Sequence, residues 1–127
     1  MLHLCSNFFT KLPAGVTGGT LNKKSMTFSE LIHSEKPVLV DFSAEWCGPC
    51  RMLAPILEDV KRRVGERATI FKLDVDRNPL IASTYNVMAV PTLIIFQDGK
   101  PVWRRSGVLS AVELTNALEA FAEPAAV

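Results

Sequence analysis

Apolar positions along this chain fall into short runs and helical stripes, separated by clear turn signals. Thr27-Phe28-Ser29-Glu30 is a capping box, and the apolar residues after it predict a short helix to about residue 34, stopped by Pro37. Val38-Leu39-Val40-Asp41-Phe42 is a β-branched apolar run without alternation, the pattern of a strand buried on both faces. Asp41 is its one charged member. Leu53, Ile56, Leu57, Val60 and Val64 keep the spacing of a single helical face. Pro55 lies inside that helix and should kink it, and Gly65 should end it. A second strand follows over residues 69–75, with Phe71, Leu73 and Val75 on one face and Ile70, Lys72 and Asp74 on the other.

Asn78-Pro79 opens a short helix to about Tyr85, and Thr92-Leu93-Ile94-Ile95-Phe96 is a third buried strand. Asp98-Gly99 is a hairpin signal, so the next strand, over residues 100–105, should run antiparallel. Pro101 and Arg104-Arg105 suit an edge. Ser110-Ala111-Val112-Glu113 is a second capping box, opening a helix with Leu114, Ala117, Leu118 and Phe121 on one face. The order helix, strand, helix, strand, helix, strand, strand, helix predicts an α/β fold: one mixed central β-sheet flanked by helices. A weak pattern near residues 20–23 is a candidate leading strand. The organisation expected is an N-terminal extension over 1–26, one domain over 27–122 and a tail over 123–127.

Composition narrows the function. The chain has 127 residues, 48 % hydrophobic and 21 % charged, which suits a single domain with its own core. A net charge of +1 lacks the basic excess of a nucleic-acid binder. No run approaches the roughly 18 apolar residues of a membrane span. The first 29 residues hold Lys11, Lys23 and Lys24 and no acid. They suit a loose extension better than a transit peptide, which would be Arg-rich, or a secretory signal, which needs a longer apolar run.

Three cysteines are too few for a disulfide-stapled scaffold. Cys5 stands alone, whereas Cys47 and Cys50 form a Cys-Gly-Pro-Cys motif at a predicted helix start. At that position free N–H groups and the helix dipole favour an anion, which lowers the Cys47 pKa and supplies the thiolate needed for exchange. Cys50, one turn in and expected to be more buried, would attack the mixed disulfide. Gly48 permits close approach of a partner backbone, and Pro49 pre-sets the first turn. Two other readings stand beside this one. Half of a zinc site would need further ligands, and Cys5, His3 and His33 lack matching spacing. A structural disulfide without chemistry is the other. His33 near the end of the first helix is most simply a dipole partner.

The segment from Val38 through Trp46-Cys47-Gly48-Pro49-Cys50-Arg51 resembles the active-site signature of the thioredoxin family. The likeness continues through Lys72-Leu73-Asp74-Val75-Asp76-Arg77-Asn78-Pro79, Val90-Pro91-Thr92, Asp98-Gly99 and Gly107, and covers about residues 27–122. It implies a thioredoxin fold, with Cys47 attacking and Cys50 resolving. It implies that Asp41 is a buried carboxylate that moves the Cys50 proton, faced by Lys72 on the neighbouring strand. A carboxylate desolvated in a strand has a raised pKa, which suits that task near neutrality. The resemblance also makes Pro91 a cis proline opposite the cysteines, with Val90 offering its backbone to an extended substrate segment. Trp46, Gly48, Pro49, Val90, Gly107 and Val108 would form the contact surface. Ser43 departs from the family, where an aromatic residue is common.

The activity implied is a protein-disulfide reductase, an enzyme that needs no bound cofactor or metal. Its electrons would come from NADPH through thioredoxin reductase, and its clients would be disulfide-containing proteins. The expectation is a monomer in the cytoplasm, engaging neither nucleic acid nor membrane, or an organellar or exported protein if residues 1–26 are an address. A contrasting reading is a binding module that uses the apolar rim without turnover; the intact motif and Asp41 argue against it.

Overall fold

The computed structural model describes Thr10–Leu12 and residues 27–122. Helix α1 (Phe28–Ile32) starts at the expected capping box: the Glu30 amide donates to the Thr27 hydroxyl at 3.1 Å, and the Thr27 amide donates to the Glu30 carboxylate at 3.0 Å. It ends two residues earlier than its pattern predicts. His33 caps it, with its Nδ1 2.7 Å from the Ser29 carbonyl oxygen. Strand β2 (Val38–Ser43) is buried along its whole length, as its unbroken apolar run requires.

Helix α2 (Gly48–Val64) carries Pro55 inside it and ends at Gly65, whose φ of +60° is where glycine costs least. A single 3-10 turn, Gly65–Arg67, leads into β3 (Thr69–Asp74). Helix α3 (Pro79–Thr84), β4 (Thr92–Gln97), β5 (Lys100–Ser106) and α4 (Ala111–Phe121) complete the order read from the sequence. The second capping box also forms, with the Glu113 amide donating to the Ser110 hydroxyl at 3.2 Å.

One short strand precedes them. Strand β1 (Thr10–Leu12) lies in the segment assigned to an extension and pairs in parallel with β3, Thr10 opposite Phe71. Three residues are too few to show alternation, so only the pairing reveals it. The expected strand near 20–23 lies outside the described residues.

The sheet order is β1-β3-β2-β4-β5, with β1, β3 and β2 parallel and β4 and β5 antiparallel to their neighbours. Helix α2 makes the crossover between the parallel strands β2 and β3. Side chains alternate across the sheet and build two cores. Val38, Val40, Phe42, Phe71, Leu73, Ile94 and Phe96 pack with α1 and α3, whereas Leu39, Ile70, Leu93 and Ile95 pack with α2 and α4. Asp41 and Ser43 share the face of Leu39, the face covered by α2. Strand β5 is a largely exposed edge. Its register slips by one residue near Pro101, a bulge that discourages further strand pairing.

The β4–β5 turn sets a local demand. Asp98 and Gly99 both have positive φ, +53° and +83°, as a tight two-residue hairpin turn requires. The His33 imidazole also packs where a Cβ on Gly99 would sit. Gly99→Ala should therefore lower stability by about 1–2 kcal/mol from backbone strain alone. Adding His33→Ala should recover only the part caused by the collision, and chemical denaturation of the single and double variants measures both.

Candidate redox site

The site forms where β2 ends and α2 begins. Cys47 is the N-cap of α2 with extended backbone (φ −90°, ψ 116°), and its Sγ accepts the Cys50 amide at 3.1 Å. Pro49 occupies the first turn, where its missing N–H removes no helical hydrogen bond. A sulfur so placed receives a backbone donor and the positive end of the helix dipole, and both favour the thiolate. Cys47 and Cys50 are joined as a disulfide, their Cα atoms 5.3 Å apart. The second cysteine was expected to be the more buried, yet both are buried, at 4 % and 2 % exposure. The pair packs under Ala44, Val75 and Val90, two of which the sequence did not single out. Gly48, Pro49 and Trp46 remain exposed beside it, Trp46 at 69 %.

The Val90–Pro91 peptide is cis, and the Val90 carbonyl oxygen lies 3.8 Å from the Cys47 sulfur. Pro91 is buried and Val90 half-buried. Gly107, with φ +96°, donates its amide to the Pro91 carbonyl at 2.9 Å, so the start of the loop after β5 is fastened to the cis proline. Val108 next to it is partly exposed. Cys47, Gly48, Pro49, Val90, Pro91 and Gly107 thus gather at one end of the sheet.

Asp41 is buried at 1 % exposure and stands opposite Lys72 in the β2–β3 register. Burial raises its pKa from 3.8 to about 7, and the positive charge of Lys72 partly opposes the rise. Its Oδ1 accepts no hydrogen bond among the described residues, as suits a group that holds a proton easily. The Ser43 hydroxyl, two residues on and on the same face, is also buried without a partner among the described residues.

Two supporting residues escaped sequence reasoning. The Trp46 indole donates to Asp76 at 2.8 Å. Asp74 is buried and accepts the Asp76 amide at 2.8 Å and the Arg77 amide at 3.3 Å, which shapes the turn carrying Asp76. An acid two residues before another at a strand end is the signal that such a turn leaves in sequence. Among the described residues, no cluster of three or more His, Cys, Asp or Glu side chains could hold a metal. Cys5 and His3 lie outside the described residues.

A disulfide at a helix N-terminus, facing a cis proline, on a sheet whose preceding strand buries a carboxylate, defines a dithiol–disulfide oxidoreductase. The family model for thioredoxin matches residues 19–120, and the chain belongs to the thioredoxin family. It is 44 % identical over 102 residues to a thioredoxin-like protein of Synechocystis, spanning 80 % of this chain and 97 % of that one. It is 45 % identical to the chloroplastic thioredoxin Y of Oryza sativa, over 85 % of this chain and 68 % of that one. Among solved structures, a single-substitution mutant of a thioredoxin from Halobacterium salinarum superposes with a TM-score of 0.73 at 33 % identity, covering 92 % of this chain and 95 % of that one. The protein is therefore a thiol–disulfide oxidoreductase of the thioredoxin fold. No helix among the described residues is long and apolar enough to cross a membrane.

The Asp41 carboxyl makes stability depend on pH. Its folded pKa, about 7, lies above the unfolded 3.8, so the native state binds the extra proton between these values. Stability should fall as pH rises from about 4 to about 7 and level off above, by an upper bound of about 4 kcal/mol. Asp41→Asn, which cannot ionise, should remove that slope and unfold at higher denaturant concentration than the parent at a pH of about 8.5, well above the folded pKa. Urea unfolding at several pH values measures it.

Proposed function

We propose that the protein is a protein-disulfide reductase in which Cys47 attacks and Cys50 resolves. The observation that carries the reading is the Cys50 amide donating to the Cys47 sulfur at the start of α2, which favours a thiolate there. The Cys47 thiolate attacks one sulfur of a client disulfide. A mixed disulfide forms, and the other client sulfur leaves as a thiolate. Cys50 then gives its proton to the Asp41 carboxylate and attacks the Cys47 sulfur. The bond between Cys47 and the client breaks, the second client sulfur leaves as a thiolate that can take the proton back from Asp41, and the Cys47–Cys50 disulfide forms, so two electrons have passed to the client.

Asp41 suits the proton step because a group with pKa about 7 gains and loses protons with little driving force at neutrality. Lys72, by favouring the ionised carboxylate, keeps that pKa from rising further. An extended client segment would lie along Val90, whose backbone would pair with it in the manner of strand addition, with Trp46, Gly48, Pro49, Pro91, Gly107 and Val108 around it.

The protein would need no bound cofactor. Electrons would return to Cys47–Cys50 from NADPH through thioredoxin reductase, and disulfide-containing proteins would be the clients. One curated relative, from Mycobacterium leprae, is a bifunctional thioredoxin reductase/thioredoxin; it is 50 % identical over 80 residues, and those residues are 18 % of that chain. The reading places a monomer in the cytoplasm; relatives named chloroplastic make an organelle the alternative, with the N-terminal segment as its address.

Cys47→Ser should abolish insulin-disulfide reduction, whereas Cys50→Ser should accumulate mixed disulfides with clients. A Cys47→Ser protein that kept the parental rate would overturn the mechanism. The potential of the Cys47–Cys50 couple against glutathione, with Cys5 changed to Ser, should lie near the thioredoxin value of about −270 mV. A value above about −200 mV would instead assign an isomerase or oxidant role. Client binding retained in both serine variants would favour a binding module.

A further inference from the structure

The segment that carries Val90 is held at its upstream end by the turn that ends α3, by Val87 packed against the core and by one guanidinium from the exposed edge strand β5. Arg104 sits on β5 opposite Ile94 and so projects from the face covered by α1 and α3. Its Nη1 donates to the Tyr85 carbonyl, and its Nη2 donates to the Asn86 carbonyl at 2.6 Å. These carbonyls lie at the C-terminus of α3, where the helix dipole is negative and a cation is favoured. Asn86 has φ +53°, the left-handed residue of a helix-ending motif. The Val87 amide reaches back to the Ala82 carbonyl at 2.9 Å, and the Asn86 amide to the Ser83 carbonyl at 3.0 Å. Below the backbone, the Tyr85 ring packs against Phe96 with centroids 5.0 Å apart.

Beyond Asn86 the chain runs through Val87, Met88, Ala89 and Val90 to Pro91. Met88 is 90 % exposed, so its side chain gives this stretch little anchorage. The downstream end is held from β4 and from the residue after β5: the Thr92 hydroxyl donates to the Ala89 carbonyl at 2.6 Å while contacting the Ser106 hydroxyl of β5 at 3.1 Å, and the Gly107 amide donates to the Pro91 carbonyl. The stretch is therefore a strap held between Arg104 of β5 at one end and Thr92 and Gly107 at the other, with the Val90 carbonyl 3.8 Å from the Cys47 sulfur.

We propose that Arg104 is a positioning residue for disulfide exchange with protein clients: by bridging the Tyr85 and Asn86 carbonyls it holds the strap from Val87 to Val90 in the shape that receives an extended client segment. This rests on the reading of Val90 as the client-pairing backbone. Arg104 touches neither cysteine, so its effect falls on client docking and not on the sulfur chemistry. The fork of the guanidinium is essential to the bridge. A lysine ammonium keeps the charge but is a single point, and it cannot span two successive carbonyls in fixed geometry.

The test compares the parent, Arg104→Lys and Arg104→Met, all as full chains, in insulin-disulfide reduction and in redox equilibrium with glutathione. Both variants should raise KM for insulin, Arg104→Met by about five-fold, with kcat within about two-fold of the parent. The glutathione equilibrium constant should stay within about two-fold, because the surroundings of the sulfurs are unchanged. Lysine should recover less than half of the loss. Hydrogen exchange should also speed up by about five-fold at the Val87 amide, which bonds the Ala82 carbonyl, in both variants, while β4 amides keep parental rates. Unchanged KM in a folded variant, or unchanged exchange at that amide, overturns the proposal. Should Arg104→Met fail to fold, Arg104→Lys alone decides by the same two readouts. A parent that does not reduce insulin would instead count against the reductase reading, and exchange in the strap would still test the role of Arg104.

Discussion

The hydrogen bond from the Cys50 amide to the Cys47 sulfur, 3.1 Å long, ties the redox pair to the first turn of α2. It exists only because β2 delivers Cys47 in extended conformation to the point where a helix must start. The first amides of any helix lack intrahelical partners, and here one of them finds a sulfur. Burial of β2 on both faces in turn holds that junction in place. Its side chains alternate between two cores, so shifting the strand by one residue would move every apolar group to the wrong face.

The same strand carries the cost of the chemistry. Asp41 occupies a position on the α2 face where apolar neighbours would favour another aliphatic side chain. Its pKa near 7 measures the desolvation it suffers there. Lys72, one strand away in register, offsets part of this. A carboxyl with a pKa near 7 on the face covered by the redox helix is what the proposed proton transfer from Cys50 would use. Ser43 extends this polar stripe by one more buried position, where the family commonly has an aromatic side chain.

The second half of the site comes from the antiparallel side of the sheet. Strand β4 begins just after the cis proline, and β5 with the residue following it supplies the Ser106 and Gly107 contacts that hold that end in place. An edge strand that buries little thus still shapes the site, through hydrogen bonds to backbone carbonyls. The sulfur pair is fixed from within the core, whereas the Val90–Pro91 backbone beside it is fixed from the rim.

Sequence alone determined the order of elements from α1 onward, both capping boxes, the hairpin turn and the pair of cysteines at a helix start. These features are local: a hydroxyl and a carboxylate three residues apart, an apolar stripe or an Asp-Gly turn needs no distant partner to be read. The exchange chemistry was legible for the same reason, since four consecutive residues carry it. Only the tertiary structure decided that Thr10–Leu12 joins the sheet, that both cysteines are buried beneath Ala44, Val75 and Val90, that Asp76 receives the Trp46 indole, and that Arg104 bridges two carbonyls at the end of α3. Each of these depends on which segments lie side by side. A three-residue strand, an orphan carbonyl or an exposed arginine looks ordinary until the fold brings its partner within hydrogen-bond reach.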